Sequence, residues 1–187
     1  MFLNIITPCS RPYNLIDISE SINIPKENYR WIVVFDSESL PNLDLIPENC
    51  ECYPIKDLNS VSGNAQRNYA LSLVDSGHVY FNDDDTTIHN ELWENIKDLE
   101  NDFIIFSQAD KNGEIRLRGD VIQEFSLTNL VSNIDSHNFI FSKDLIKDSV
   151  FKLDKYYADG IFATECYSRS KNLFTIDKVL SIYNSLR

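Results

Sequence analysis

The stretch VYFNDDDTTIHNELW, Val79 to Trp93, sets three aspartates directly behind an apolar run. Val79, Tyr80 and Phe81 read as the end of a buried strand, and Asp83, Asp84 and Asp85 follow it. Adjacent carboxylates repel one another, so at a strand end they cost stability unless a cation or a hydrogen-bonding ligand shares the site. Side chains alternate along an extended chain, which sets Asp83 and Asp85 on one side and Asp84 on the other. Such a D-x-D pair presents hard oxygens suited to Mn2+ or Mg2+, and one or two carboxylates suffice when substrate phosphates complete the shell. Two other readings compete. A solvated turn would cap the next helix, whose dipole favours aspartate at its N-terminus. A calcium loop counted from Asp83 would make ligands of Asp85, Thr87 and Glu94, but Ile88 then stands where the sharp turn needs glycine, and no helix precedes the loop.

Working outward, the segments on either side alternate in type. Upstream, SGNAQRNYALSLVDSG reads as a helix with Ala65, Tyr69, Leu73 and Val74 on one face and Gly77 as its stop. Downstream, TTIHNELWENIKDLE reads as a helix with Thr86 or Thr87 as N-cap and Leu92, Ile96 and Leu99 facing inward. Buried strands are expected at FLNIITP, YRWIVVFDS, CECYPI, HVYFND and DFIIFSQ, and a more exposed one at GEIRLRGD. SRPYNLIDISESINIP carries Leu15, Ile18 and Ile22 at helical spacing, HNFIFSKDLI looks like a strand followed by a helix, and TIDKVLSIYNSL like a final amphipathic helix. Continuous apolar strands alternating with helices predict an α/β fold whose central sheet is mixed, mostly parallel and flanked by helices. Ligands of such sheets bind beyond the carboxyl ends of the strands. Here those ends read TPCSRP, FDSES and NDDDTT, so their polar groups can converge on one pocket.

Composition narrows the function classes. The 187 residues are 43% hydrophobic and 12% aromatic, as in a packed globular chain, and carry a net charge of −12. That balance argues against nucleic acid and anionic membranes as partners, since both reward basic surfaces. No apolar run approaches the roughly 20 residues of a membrane span. The N-terminus lacks a basic start and reads as a strand rather than a signal peptide. Cys9, Cys50, Cys52 and Cys166 complete no zinc set and read as reduced thiols of a cytoplasmic protein, with one disulfide left open. His89 and His137 are isolated in sequence and read as ordinary surface residues. No repeat or Gly/Ser linker divides the chain, so one domain over 1–187 is expected.

With these elements in place, the sequence resembles the GT-A (Rossmann-like) glycosyltransferases that use nucleotide sugars, above all the inverting families 2 and 43, including the glucuronyltransferase type. Four segments carry the likeness in order over about the first hundred residues: IITPCSRP, RWIVVFDS, GNAQRNYAL and VYFNDDDTTIHNELWENI. The resemblance implies a donor half over 1–100 and an acceptor and catalytic half over 101–187. It implies that Thr7 and Pro8 line the nucleotide site with Arg11 nearby, that Asp36 accepts from the uracil N3–H, and that Arg67 and Asn68 contact the nucleotide or diphosphate. Asp85 would be the principal metal ligand; Asp83 and Asp84 would serve the ribose, the donor sugar or the metal, Asp83 completing the D-x-D pair. The implied reaction moves a sugar from a UDP-sugar to a glycan or other hydroxyl acceptor, with Mn2+ or Mg2+ and with inversion. Inversion needs a general base. Asp159 in KYYADGIFATE is preferred, beside Gly160 and a sugar-stacking wall of Tyr156, Tyr157 and Phe162, with Glu165 and then Asp154 behind it. Asp159 also reads as the N-cap of the helix GIFATECYSRS. A sugar-nucleotide pyrophosphorylase would need a glycine-rich loop that TPCSRPYN lacks. A non-catalytic carbohydrate- or partner-binding module on the same scaffold is the remaining alternative. The chain is short for a complete transferase, which fits a domain of a longer multidomain protein.

Overall fold

All seven residues of β1 (Leu3–Cys9) are buried, because both of its faces are covered. The structure, a computed structural model, describes residues 1–57, 59–119 and 134–187. After β1 come α1 (Leu15–Ser21), β2 (Tyr29–Phe35), β3 (Glu51–Pro54), α2 (Asn64–Ser72), β4 (His78–Phe81), β5 (Thr87–Ile88) and α3 (Leu92–Ile96). The second half supplies β6 (Phe103–Asp110), β7 (Ile115–Leu117), β8 (Phe139–Ser142), α4 (Ala158–Arg169) and β9 (Leu173–Tyr183). These strands form one sheet in the order β3-β2-β1-β4-β8-β6-β9-β5, with β7 paired to β6 outside that path. The run β3-β2-β1-β4 is parallel, as is β6 with β9, while β8 is antiparallel to both β4 and β6. The expected mixed sheet flanked by helices is therefore present.

Strand parity sorts the core into two layers. Ile6, Val34, Phe81 and Phe141 pack on one face with Ala70 and Leu71 of α2 and Phe162 and Cys166 of α4. Leu3, Ile5, Trp31 and Tyr80 pack on the other with Leu15 and Ile18 of α1 and Leu92 and Ile96 of α3. All four cysteines are free thiols. Among the described residues, no helix is long and apolar enough to cross a membrane.

Several element expectations need correction. The segment Thr175–Leu186 is not a helix; most of it forms β9, which lies parallel to β6. Its buried Ile176 and Leu180 stand four apart, a spacing that a helix and a period-2 strand both place on one face. The β6–β9 register shifts twice, around Ser107, and Thr, Ile, Val and Tyr supply the strand propensity. The Thr86–Glu100 helix shrinks to α3, whose N-cap is Glu91 rather than Thr86 or Thr87, because Thr87 and Ile88 pair with β9. α2 ends at Ser72, ahead of Gly77, and only a 3-10 turn at Lys143–Leu145 follows β8. Asp120, the end of the GEIRLRGD segment, lies outside the described residues.

Candidate functional site

Beyond the carboxyl ends of β1, β2 and β4 lies a cleft of about 480 Å³. Pro8, Arg11, Asp36, Arg67, the aspartate triplet and Asp159 line it together, although they come from five separate segments. The triplet does not keep strand parity. β4 stops at Phe81, and the backbone N–H of Thr86 donates to the Asp83 carbonyl at 3.1 Å, so residues 83–86 form a turn. Each aspartate then finds its own partners. Asp83 meets Arg67 Nη2 at 2.5 Å and His137 Nε2 at 3.0 Å. Asp84 accepts from the Ser10 N–H at 2.6 Å, the Ser10 hydroxyl at 3.0 Å, the Arg11 N–H at 2.7 Å and Arg11 Nη1 at 2.5 Å. Asp85 meets Arg11 Nη1 at 2.8 Å and Arg187 Nε at 2.6 Å, both on Oδ2.

This pairing corrects the expected D-x-D pair. Asp83 is bound into a charge chain that runs from Arg67 through His137 to Asp135, whose Oδ1 lies 3.1 Å from His137 Nδ1, and on to Arg116. The two contacts of His137 have ion-pair distances but are too bent for hydrogen bonds. Burial would raise the Asp83 carboxyl, but the positive charges of Arg67 and His137 outweigh it and hold the group at about 2. Burial opposes charge on His137 too, yet Asp83 and Asp135 lift it well above its ordinary 6.5, so the imidazole carries a proton at neutral pH. Asp135 is likewise held low: burial is overcome by His137 and then Arg116. His137 is 2% exposed and therefore no surface residue. Asp84 orders the loop after β1, with three of its four bonds on Oδ2; burial still pushes its carboxyl up against the donors of Ser10 and Arg11.

Strand parity also removes Thr7 from the cleft. Thr7 and Pro8 point to opposite faces. Thr7 is 0% exposed and accepts from Trp31 Nε1 at 2.9 Å in the second core layer. Pro8 lies against Gly63, the N-cap of α2, at the cleft wall. Asn68 is also structural: it donates to the Phe151 carbonyl at 2.9 Å and accepts from the Phe151 N–H at 2.8 Å. Asn64 similarly donates to the carbonyls of Lys152 and Lys155 at 3.0 and 2.9 Å. Together they fasten the segment leading to α4 onto α2, which is how Asp159 reaches the cleft. Asp36 sits at the cleft edge, where Lys56 Nζ at 3.0 Å and Gln66 Nε2 at 3.2 Å both meet Oδ1.

Asp159 stands in the first turn of α4, whose N-cap is Tyr157, so it is not the cap. Burial, reinforced by the charge of Asp135, raises its carboxyl above the ordinary 3.8. Glu165 does not line the cleft: at about 100° per residue it lies about 240° round α4 from Asp159. Asp154 is an exposed residue paired with Lys155 at 3.1 Å. Phe162 is core, stacked on Phe151 at 4.5 Å, while Tyr156 and Tyr157 do line the cleft mouth.

No protein-family model and no curated protein matches the sequence. Solved structures do match in shape. S. aureus TarS 1–349 superposes with a TM-score of 0.80 at 19% identity, over 97% of this chain and 60% of that one. TarS 1–349 in complex with UDP-GlcNAc gives 0.78 at 19%, over 97% and 58%. The mannosyltransferase PcManGT from Pyrobaculum calidifontis, in complex with GDP-Man and Mn2+, gives 0.65 at 13%, over 97% and 56%. The chain has the GT-A fold. It spans about 60% of the length of TarS 1–349 and 36% of the longer TarS chain. In this GT-A chain Gly63, Asp135, Arg116 and Arg187 were not singled out in sequence, and His137 was read there as a surface residue. Only the glycine ahead of NAQRN offered a local signal.

Proposed function

We propose that the cleft binds a nucleotide sugar, a UDP-sugar, and transfers its sugar to an acceptor hydroxyl with inversion. The observation that carries this reading is the gathering of Asp36, Arg67, Asp85 and Asp159 in one cleft at the carboxyl ends of three parallel strands. The complexes of the GT-A neighbours with UDP-GlcNAc and GDP-Man support the substrate class. Asp36 accepts from the uracil N3–H, and Pro8 and Gly63 let the base and ribose approach the backbone. Arg67, 4% exposed and held by Asp83 and the Ser62 carbonyl, presents a fixed positive charge to the donor.

Mn2+ or Mg2+ fits the donor chemistry at Asp85. This carboxylate is buried, its cationic partners are both side chains that solvent reaches, and it needs only a diphosphate to complete a shell of hard oxygens. Among the described residues, no three His, Cys, Asp or Glu gather into a cage, so an ion at Asp85 would bind more weakly alone than with a diphosphate beside it. A divalent ion there would stabilise the charge that grows on the leaving diphosphate. Asp159 takes the proton of the acceptor hydroxyl; its raised affinity for protons suits a base better than Asp135 does. Residues outside this chain are available for acceptor contacts if it belongs to a longer protein.

The test is thermal stabilisation by a panel of UDP- and GDP-sugars, with Mn2+ and with EDTA. Ligand at about 100 times its dissociation constant adds roughly 2.7 kcal/mol. A UDP-sugar should stabilise strongly with Mn2+ and weakly with EDTA. Equal shifts in the two conditions would remove the metal from the reading, and no shift with any nucleotide sugar would remove the donor site.

A further inference from the structure

The triplet, with Asp84 and Asp85 buried and Asp83 partly so, needs counter-charge when no ligand is bound, and among the described residues four cations supply it. Their side-chain exposures separate them: His137 3%, Arg67 5%, Arg11 27% and Arg187 53%. The first two are locked on Asp83, and Arg11 is shared between Asp84 and Asp85. Arg187 alone is mostly in solvent, yet its Nε reaches an aspartate that is 4% exposed. A short segment carries it there. The Leu186 N–H donates to the Asp85 carbonyl at 3.1 Å, Ser185 Oγ accepts from the Thr87 N–H at 3.0 Å, and the Arg187 carbonyl accepts from Lys111 Nζ at 3.0 Å. Residues 185–187 thus lie across the end of the triplet with a guanidinium on Asp85 Oδ2.

We propose that Arg187 is a donor-site residue: it holds the cation position on Asp85 in the ligand-free protein, yields that position to a divalent ion, and turns its guanidinium to the diphosphate. This rests on the donor-site reading above. A doubly charged ion on Asp85 repels a guanidinium in contact with the same oxygen. The displaced group is then beside two phosphates, whose oxygens match its forked donors. Little opposes the exchange, since an ion pair whose cation is half exposed is weak. Arg11 Nη1 shares Asp85 Oδ2 and is repelled as well, but it is also paired with Asp84 Oδ1, an anchor that Arg187 lacks.

The experiment measures binding, not turnover. Mn2+ alone is titrated into the wild-type protein, Arg187→Gln and Arg187→Lys, with free Mn2+ followed by electron paramagnetic resonance. UDP is then titrated at saturating Mn2+. Loss of the competing charge should tighten Mn2+ binding by Arg187→Gln about three- to ten-fold, the scale of a partly exposed ion pair. UDP should bind the same variant more weakly, and Arg187→Lys should keep wild-type Mn2+ affinity while losing UDP affinity. Equal Mn2+ affinity in the wild type and Arg187→Gln, with UDP still binding, overturns this proposal and leaves the donor site standing. Failure of all three proteins to bind Mn2+ or UDP overturns both.

Discussion

His137 and Asp159 show how far a residue's chemistry depends on the company it keeps. His137 holds its proton in the fold at pH values where the unfolded chain has released it, because Asp83 and Asp135 flank the ring. Folding therefore takes up a proton above the ordinary 6.5, and stability falls as pH rises from there through the raised value. Below 6.5 the contribution is fully present. His137→Gln should flatten that decline, read as unfolding free energy between pH 6 and 9; an unchanged slope would mean that the histidine is neutral in the fold. Asp159 is different: among the described residues its carboxyl has no ion pair, and its one hydrogen-bond donor is the Gly160 N–H at 2.8 Å. Asp159→Asn keeps the size of the side chain and leaves the cap at Tyr157 untouched. It should lower turnover by roughly 10²–10⁴, the usual contribution of a general base, with UDP-sugar affinity unchanged. Near-normal turnover in this variant would take the base role from Asp159.

At the scale of elements, the entry to α2 is the joint on which the cleft depends. Gly63 has φ of +73°, and a Cβ there would stand 2.8 Å from Pro8 Cβ. Only glycine meets both conditions without strain. The left-handed conformation alone costs a side-chain residue roughly 1–2 kcal/mol. Gly63→Ala should therefore lower Tm by about 2–8 °C, as expected for a chain of this length. UDP affinity should drop as well, since Pro8 and the Arg67 turn would have to shift; a variant as stable as the wild type would show that the loop relaxes freely. β9 carries the opposite lesson. Its apolar residues fall at a spacing that also suits a helix, yet β6 offered an open edge, and an eleven-residue strand buries Ile176 and Leu180 on it. Pairing a whole edge outweighs a local period.

At the scale of the molecule, residues 1–100 and 101–187 share one sheet, in which β3-β2-β1-β4 abut β8-β6-β9 and β5 crosses to the far end. β8 from the second half lies between β4 and β6, and β5 from the first half closes the far end of the sheet against β9. The β4–β8 and β5–β9 pairings join the two halves, so both should unfold together. We expect far-UV circular dichroism and tryptophan fluorescence to give one urea midpoint. Two separated midpoints would show that 1–100 and 101–187 fold as independent domains.

Much of this architecture was legible along the chain. Apolar runs ending at TPCSRP, FDSES and NDDDTT announced the parallel strands and the side on which polar groups gather, because burial on both faces leaves a continuous apolar signature. Asp36, Arg67 and Asp159 came forward through the family resemblance, while the turn after Phe81 departs from the strand expected at HVYFND. What adjacency could not convey was the partner of each charge. Asp83, Asp84 and Asp85 look equivalent in sequence, yet one is locked to Arg67 and His137, one ties down the loop after β1, and one meets the half-exposed Arg187. Ion pairing falls off over a few ångströms, and those distances exist only once segments far apart in the chain have been packed together.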